Sequence, residues 1–279
     1  MPQLIFTAIN LNERMWIYYN DCETENDRRL YSGRVLAIPR GGELQGITDD
    51  HLRKCAMDYH LAPTANWSVC GIDQGDLWHV VFLGVGKDRP IRLLYTAVIP
   101  ADRIERVLLG DENNVGLLDS MNAQVIVCDS KPERAVVRRL AKAREQFLPH
   151  EYHGEEDSDK IREYDGEEYT YIQTGREETL QLTEALFDEN NPTIEIPLEI
   201  DGEDICNSEF GKQLKVGASK RKVSTRTGED IQFVGGSGVN NHLFHALNYA
   251  NIAFRRFATG VGFGDGTIPV CGRLGGSRR

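Results

Sequence analysis

Residues 67–99 read WSVCGIDQGDLWHVVFLGVGKDRPIRLLYTAVI. Three runs rich in β-branched, aliphatic and aromatic residues, 67–72, 77–85 and 91–99, are separated by short links of Asp, Gly and Pro. Runs of that length between turn residues predict three consecutive strands joined as a meander. This stretch decides the fold class.

Outward from the meander, helices and strands mix. Upstream, Thr48-Asp49-Asp50 supplies a capping residue and two acids at the positive end of a helix dipole, so a helix is expected to run to about residue 60. Further upstream, residues 4–8, 15–19 and 34–38 look like short strands. Downstream, 101–109 reads as a short helix stopped by Gly110, and 124–128 as a buried strand. Ser130-Lys131-Pro132-Glu133 has the form of a capping box opening a helix to about residue 147. Then come a strand (169–173), a helix (177–187) and an alternating strand (194–200) with Glu195 and Glu199 outward. Residues 212–216 and 222–226 suggest a basic hairpin, and 231–234 a last strand.

The helix pattern is strongest after residue 242. Leu243, Ala246, Leu247, Ala250, Ala253, Phe254 and Phe257 fall on one stripe. The expected class is therefore α+β: a largely antiparallel or mixed sheet, several short helices, and one long C-terminal amphipathic helix.

Charge divides the chain. Residues 1–150 are nearly balanced at -2, residues 151–204 carry -16 and residues 205–279 carry +7. The expected organisation follows: an α+β domain over 1–150, an acidic connector and partial second lobe over 151–204, and a basic segment over 205–279. Asymmetry of this size bears on partners rather than on fold. The two segments can neutralise each other within one chain. Alternatively, the acidic surface of one copy meets the basic surface of another in a homo-oligomer.

No apolar run is long enough to span a bilayer, and no leader pattern is seen, so no membrane partner and a cytoplasmic location are expected. The six cysteines are scattered without a Cys-x-x-Cys pair, and reduced thiols are expected. There is no Gly-x-Ser-x-Gly elbow, His-Glu-x-x-His helix, calcium loop or kinase signature.

One segment carries a ligand signal. A short strand runs through Gly235, Gly236, Ser237 and Gly238 into the long helix, so backbone amides there can converge on an anion with the helix dipole behind them. Asn241, His245, Asn248 and Arg255 lie near one line of that helix and suit hydrogen bonding, while Lys220, Arg221 and Lys222 supply positive field. These residues point to a phosphate-bearing ligand, a nucleotide or nucleic acid. The competing reading is protein interaction or self-assembly. His242 and His245 have the spacing of two metal ligands but no fixed carboxylate partner, so no metal site is assigned and no cofactor is indicated. Asp129 follows a buried strand, where α/β proteins often keep functional residues.

Overall fold

The computed structural model of the chain describes residues 46–153, 158–164, 167–225, 228–233 and 240–259. The strands expected at 4–8, 15–19 and 34–38, and the candidate ligands Gly235, Gly236, Ser237 and Gly238, lie outside the described residues.

In chain order the strands are β1 (Ala56–Met57), β2 (Ser68–Asp73), β3 (Leu77–Val85), β4 (Ile91–Pro100), a small ribbon of β5 (Gly110–Asp111) and β6 (Asn114–Val115), β7 (Ala123–Asp129) and β8 (Phe147–Tyr152). They continue with β9 (Ser158–Tyr164), β10 (Glu167–Thr174), β11 (Ile194–Pro197), the pair β12 (Glu199–Ile200) and β13 (Glu203–Asp204), and the hairpin β14 (Lys220–Thr225) with β15 (Gly228–Phe233). The helices are α1 (Asp49–Cys55), α2 (Ile104–Leu109), α3 (Leu117–Ser120), α4 (Arg134–Ala143), α5 (Arg176–Glu184), α6 (Glu209–Gly217) and α7 (His242–Thr259).

Among the described residues, nine strands join in one sheet, ordered β1-β11-β4-β3-β2-β7-β8-β10-β9. The meander β2-β3-β4 is antiparallel, as the turn spacing predicts. The rest corrects the expectation of a largely antiparallel sheet. β7 lies parallel beside β2, β8 beside β7, β10 beside β8, β11 beside β4 and β1 beside β11. Among the described residues, five of the eight neighbouring pairs are thus parallel, giving a mixed α/β fold with a mostly parallel sheet. The physical reason lies in the connections. Strands joined through helices, as β7 and β8 are through α4, return in the same direction, whereas only tight turns reverse the chain.

Both faces of the sheet are covered. Val69, Val81, Leu83, Val125 and Val127 point to one side, into a core shared with α1, α5, α6 and α7. Cys70, Ile72, Val80, Phe82, Ile126 and Cys128 point to the other, under α2, α3 and α4. Burial on both faces explains why these strands read as continuous apolar runs. Cys55, Cys70, Cys128 and Cys206 are free and buried.

Helix α7 lies across β2, with Gly71 beneath it. A Cβ at Gly71 would stand 2.0 Å from the Ala250 nitrogen and 2.1 Å from the Ala246 oxygen. Only glycine lets the two backbones come this close.

Four expectations change. The amphipathic pattern expected of α7 is not confirmed along its middle, where residues 246–253 are all buried, including Asn248 and Asn251. Asn248 and Asn251 face other protein groups instead of water, whereas Arg255 is exposed. Residues 212–216 belong to α6 and not to a hairpin strand, because the Ser208 side chain caps that helix by accepting from the Gly211 amide (3.1 Å). The Ser130 capping box is absent; the Ser130 hydroxyl donates to Glu151 Oε1 (3.0 Å). Glu195 faces inward with no exposed surface, held by Arg92. No described helix is long and apolar enough to cross a membrane.

Candidate active site at the carboxyl edge of the sheet

Two adjacent parallel strands end in aspartate. Ile72 of β2 pairs with Cys128 of β7, so the next residues, Asp73 and Asp129, are level at the same edge. Strand alternation turns both toward α7, because their predecessors Ile72 and Cys128 lie in the opposite core. His79 sits opposite Asp73 in the antiparallel ladder with β3. Edges where parallel strands end are where open α/β sheets bind ligands.

Helix α7 completes the cluster from above. His242 Nδ1 lies 2.7 Å from Asp73 Oδ2. The His242 ring stacks on His79, with centroids 4.8 Å apart and planes at 15°. One ligand-type atom from each of Asp73, His79 and His242 lies within 4.8 Å of the others. His245 is one turn on, its Nε2 3.2 Å from Asn241 Nδ2. The Gln74 side chain ties the two strand ends together. Its amide donates to the Asp129 carbonyl, and its oxygen accepts from the Glu133 amide (2.7 Å).

The electrostatics are those of a crowded carboxylate site. Burial, and then the neighbouring Asp73 charge, push Asp129 up to about 7, against the amides of Lys131 and Ser130. The hydrogen bond to Asp73 raises His242. Burial lowers His79, and the nearby His242 lowers it further. Burial also lowers His245.

Asp73, His79 and His242, one carboxylate and two imidazoles with Asp129 nearby, form a donor set that suits a divalent cation such as Mn²⁺ or Zn²⁺. A structural observation agrees with that fit. His79 is buried and its Nδ1 has no hydrogen-bond partner among the described residues. A buried polar atom without a partner is costly and calls for a ligand. The carboxylate that the two helix histidines lacked in sequence is thus Asp73, whose sequence separation from His242 is 169.

The sequence-derived candidates divide. His245 lies near enough to Asp73 to feel its charge, and Asn241 contacts His245. Asn248 is wholly buried, accepting from the Thr183 hydroxyl (2.8 Å) and donating to Tyr152 (2.9 Å). Arg255 is exposed about 20 Å along the helix from His242, at 1.5 Å per residue. Lys220 pairs with Glu184 and covers the Phe233 ring. Arg221 and Lys222 follow it in β14. The loop amides expected to meet an anion lie outside the described residues, and those of the first turn of α7 have acceptors. Leu243 donates to Gln213 Oε1 (2.7 Å), and Phe244 and His245 donate to the Asn241 carbonyl.

Asp73 and His79 went unnoticed in sequence. The rule that marks Asp129, a polar residue just after a buried strand, marks Asp73 equally well. What sequence alone hides is that β7 pairs with β2, a contact between distant segments.

No family model and no curated protein matches the chain. Two solved structures resemble it at low similarity. The large terminase nuclease of thermophilic phage G20c is 13% identical with a TM-score of 0.41, over 73% of this chain and 94% of that one. The same nuclease with bound magnesium is 12% identical with a TM-score of 0.42, over 72% and 93%.

Proposed function

We propose that this chain hydrolyses phosphodiester bonds in nucleic acid, with a divalent cation held by Asp73 and His79 beside Asp129. The observation that carries the reading is the level pair of aspartates on adjacent parallel strands, with two imidazoles closing over them. A divalent cation bound there supplies Lewis acidity at the phosphorus and a water of lowered pKa.

The protein's own groups have separate tasks. Asp73 accepts from His242 and orients its ring. His242, whose side chain is 42% exposed, is reachable by a phosphate and is biased toward its charged form. It can therefore hold a non-bridging oxygen or give a proton to a leaving oxygen. His79 is biased toward the neutral form and has a lone pair to offer at its unpartnered nitrogen. Gln74 and the Lys131 amide fix Asp129, the latter at 3.2 Å.

The test is direct. With Mg²⁺ or Mn²⁺, the purified chain should cut single-stranded or duplex DNA or RNA, and chelation should stop it. Asp73→Asn and Asp129→Asn should each lower the rate by at least about 100-fold while melting at the parent's temperature. Intact substrates under all these conditions would remove the proposal, as would full activity in Asp73→Asn.

A further inference from the structure

A second feature lies on the opposite face of the sheet, beside α4. Arg134, Arg138 and Lys142 recur every four residues and stand on one ridge, about 6 Å apart along the axis. That spacing is on the scale of successive phosphates in an extended strand. Facing the ridge is β10. Ile172 belongs to the core under α7, so alternation turns Tyr169 and Tyr171 toward α4. Their rings lie 6.5 Å apart.

Arg138 and Lys142 of the ridge, with Tyr169, bound a cavity of about 1020 Å³ that Phe147 also lines. Glu145 and Glu168 also line it, as does Arg139, which pairs with Glu105. A narrower recess shares Arg138 and Tyr169 with it, and runs past Arg134 to Ser130 and Glu151. Ser130 directly follows Asp129. That recess is small, about 20 Å³, so the trough proper is the larger cavity on the α4 face.

The geometry points to a nucleic-acid single strand as the occupant of this trough. Its phosphates follow the Arg134–Arg138–Lys142 ridge, and an unpaired base stacks on Tyr169. A cationic row beside aromatic faces is how single strands are bound without sequence preference. This inference rests on the phosphodiesterase reading for the fate of the strand, though its binding is measured separately.

The experiment uses the full chain, fluorescein-labelled oligothymidylate and chelator, read by fluorescence anisotropy. The triple variant Arg134→Ala/Arg138→Ala/Lys142→Ala should bind at least about tenfold more weakly. It should also lose about two from the slope of log affinity against log salt, at ~0.7 per phosphate contact. Tyr169→Ala should bind about fivefold more weakly. With Mn²⁺ restored, both variants should hydrolyse bis(p-nitrophenyl) phosphate like the parent, because so small an ester needs only the aspartate cluster. Undiminished oligothymidylate binding in the triple variant overturns the trough, as does a duplex bound more tightly than the single strand. Should the triple variant melt early, Arg138→Gln and Tyr169→Ala decide the matter, and unchanged binding in both overturns it. Tight, trough-dependent binding without cleavage of any phosphodiester keeps the trough and removes the hydrolysis reading.

Discussion

Glu195 has no exposed surface, yet it keeps its charge. Burial pushes its pKa up. The amides of Asp88 (2.5 Å) and Arg89 (2.9 Å) and the Arg92 guanidinium (2.5 Å) outweigh that and hold it below the ordinary carboxylate range. An acid whose folded pKa is depressed stabilises the fold above its unfolded value, about 4.3, and that support is lost as pH falls through the lower folded value. Urea midpoints should therefore drop between pH 6 and pH 3, and Glu195→Gln should flatten that dependence. Glu195→Ala should cost about 3 kcal/mol, because Arg92 and two amides lose their acceptor; a cost under about 1 kcal/mol would show the pair to be dispensable. The alternation of 194–200 suggested a solvated acid here. What period-2 patterning could not convey is that β11 sits between two parallel neighbours, β1 and β4, where an acid needs a partner. The same gap hid Asp73 while leaving Asp129 visible.

At the scale of elements, α7 and β2 form the decisive contact. Gly71→Ala places a methyl group against the backbone of Ala246 and Ala250, which cannot move aside as a side chain would. We expect a loss of at least about 2 kcal/mol in urea titrations. The proposed phosphodiesterase activity should fall further than stability alone accounts for, since His242 is carried on the displaced helix. Parental activity in Gly71→Ala would show that the helix position is not critical. The apolar stripe of α7 was legible from its 3.6-residue period. Its burial on the polar side was not, because that depends on Thr179 and Thr183 of α5 meeting Asn248 and Asn251. The meander was legible from its turn residues. The parallel partners were not, since nothing local in sequence records which strands adjoin after a helical crossover.

Across the whole molecule, the opposed charges of 151–204 and 205–279 meet within one chain. Lys220 pairs with Glu184, and Arg256 Nη2 lies 2.6 Å from Asp159 Oδ1. Light scattering at low salt should accordingly give a monomer mass that is constant with concentration. Concentration-dependent assembly that salt dissolves would favour the head-to-tail oligomer instead. The charge division was plain in sequence, but charge totals carry no addresses, so they could not place Lys220 beside Glu184 or Arg256 beside Asp159.

Asp73 and His242 touch across a separation of 169 residues. Closing so long a loop is entropically late, and the loop cannot close until its far end has been synthesised. A nascent chain emerging from the ribosome thus exposes its aspartates long before the imidazole that completes them exists. On the phosphodiesterase reading, the half-made polypeptide should be inactive until the final described helix docks.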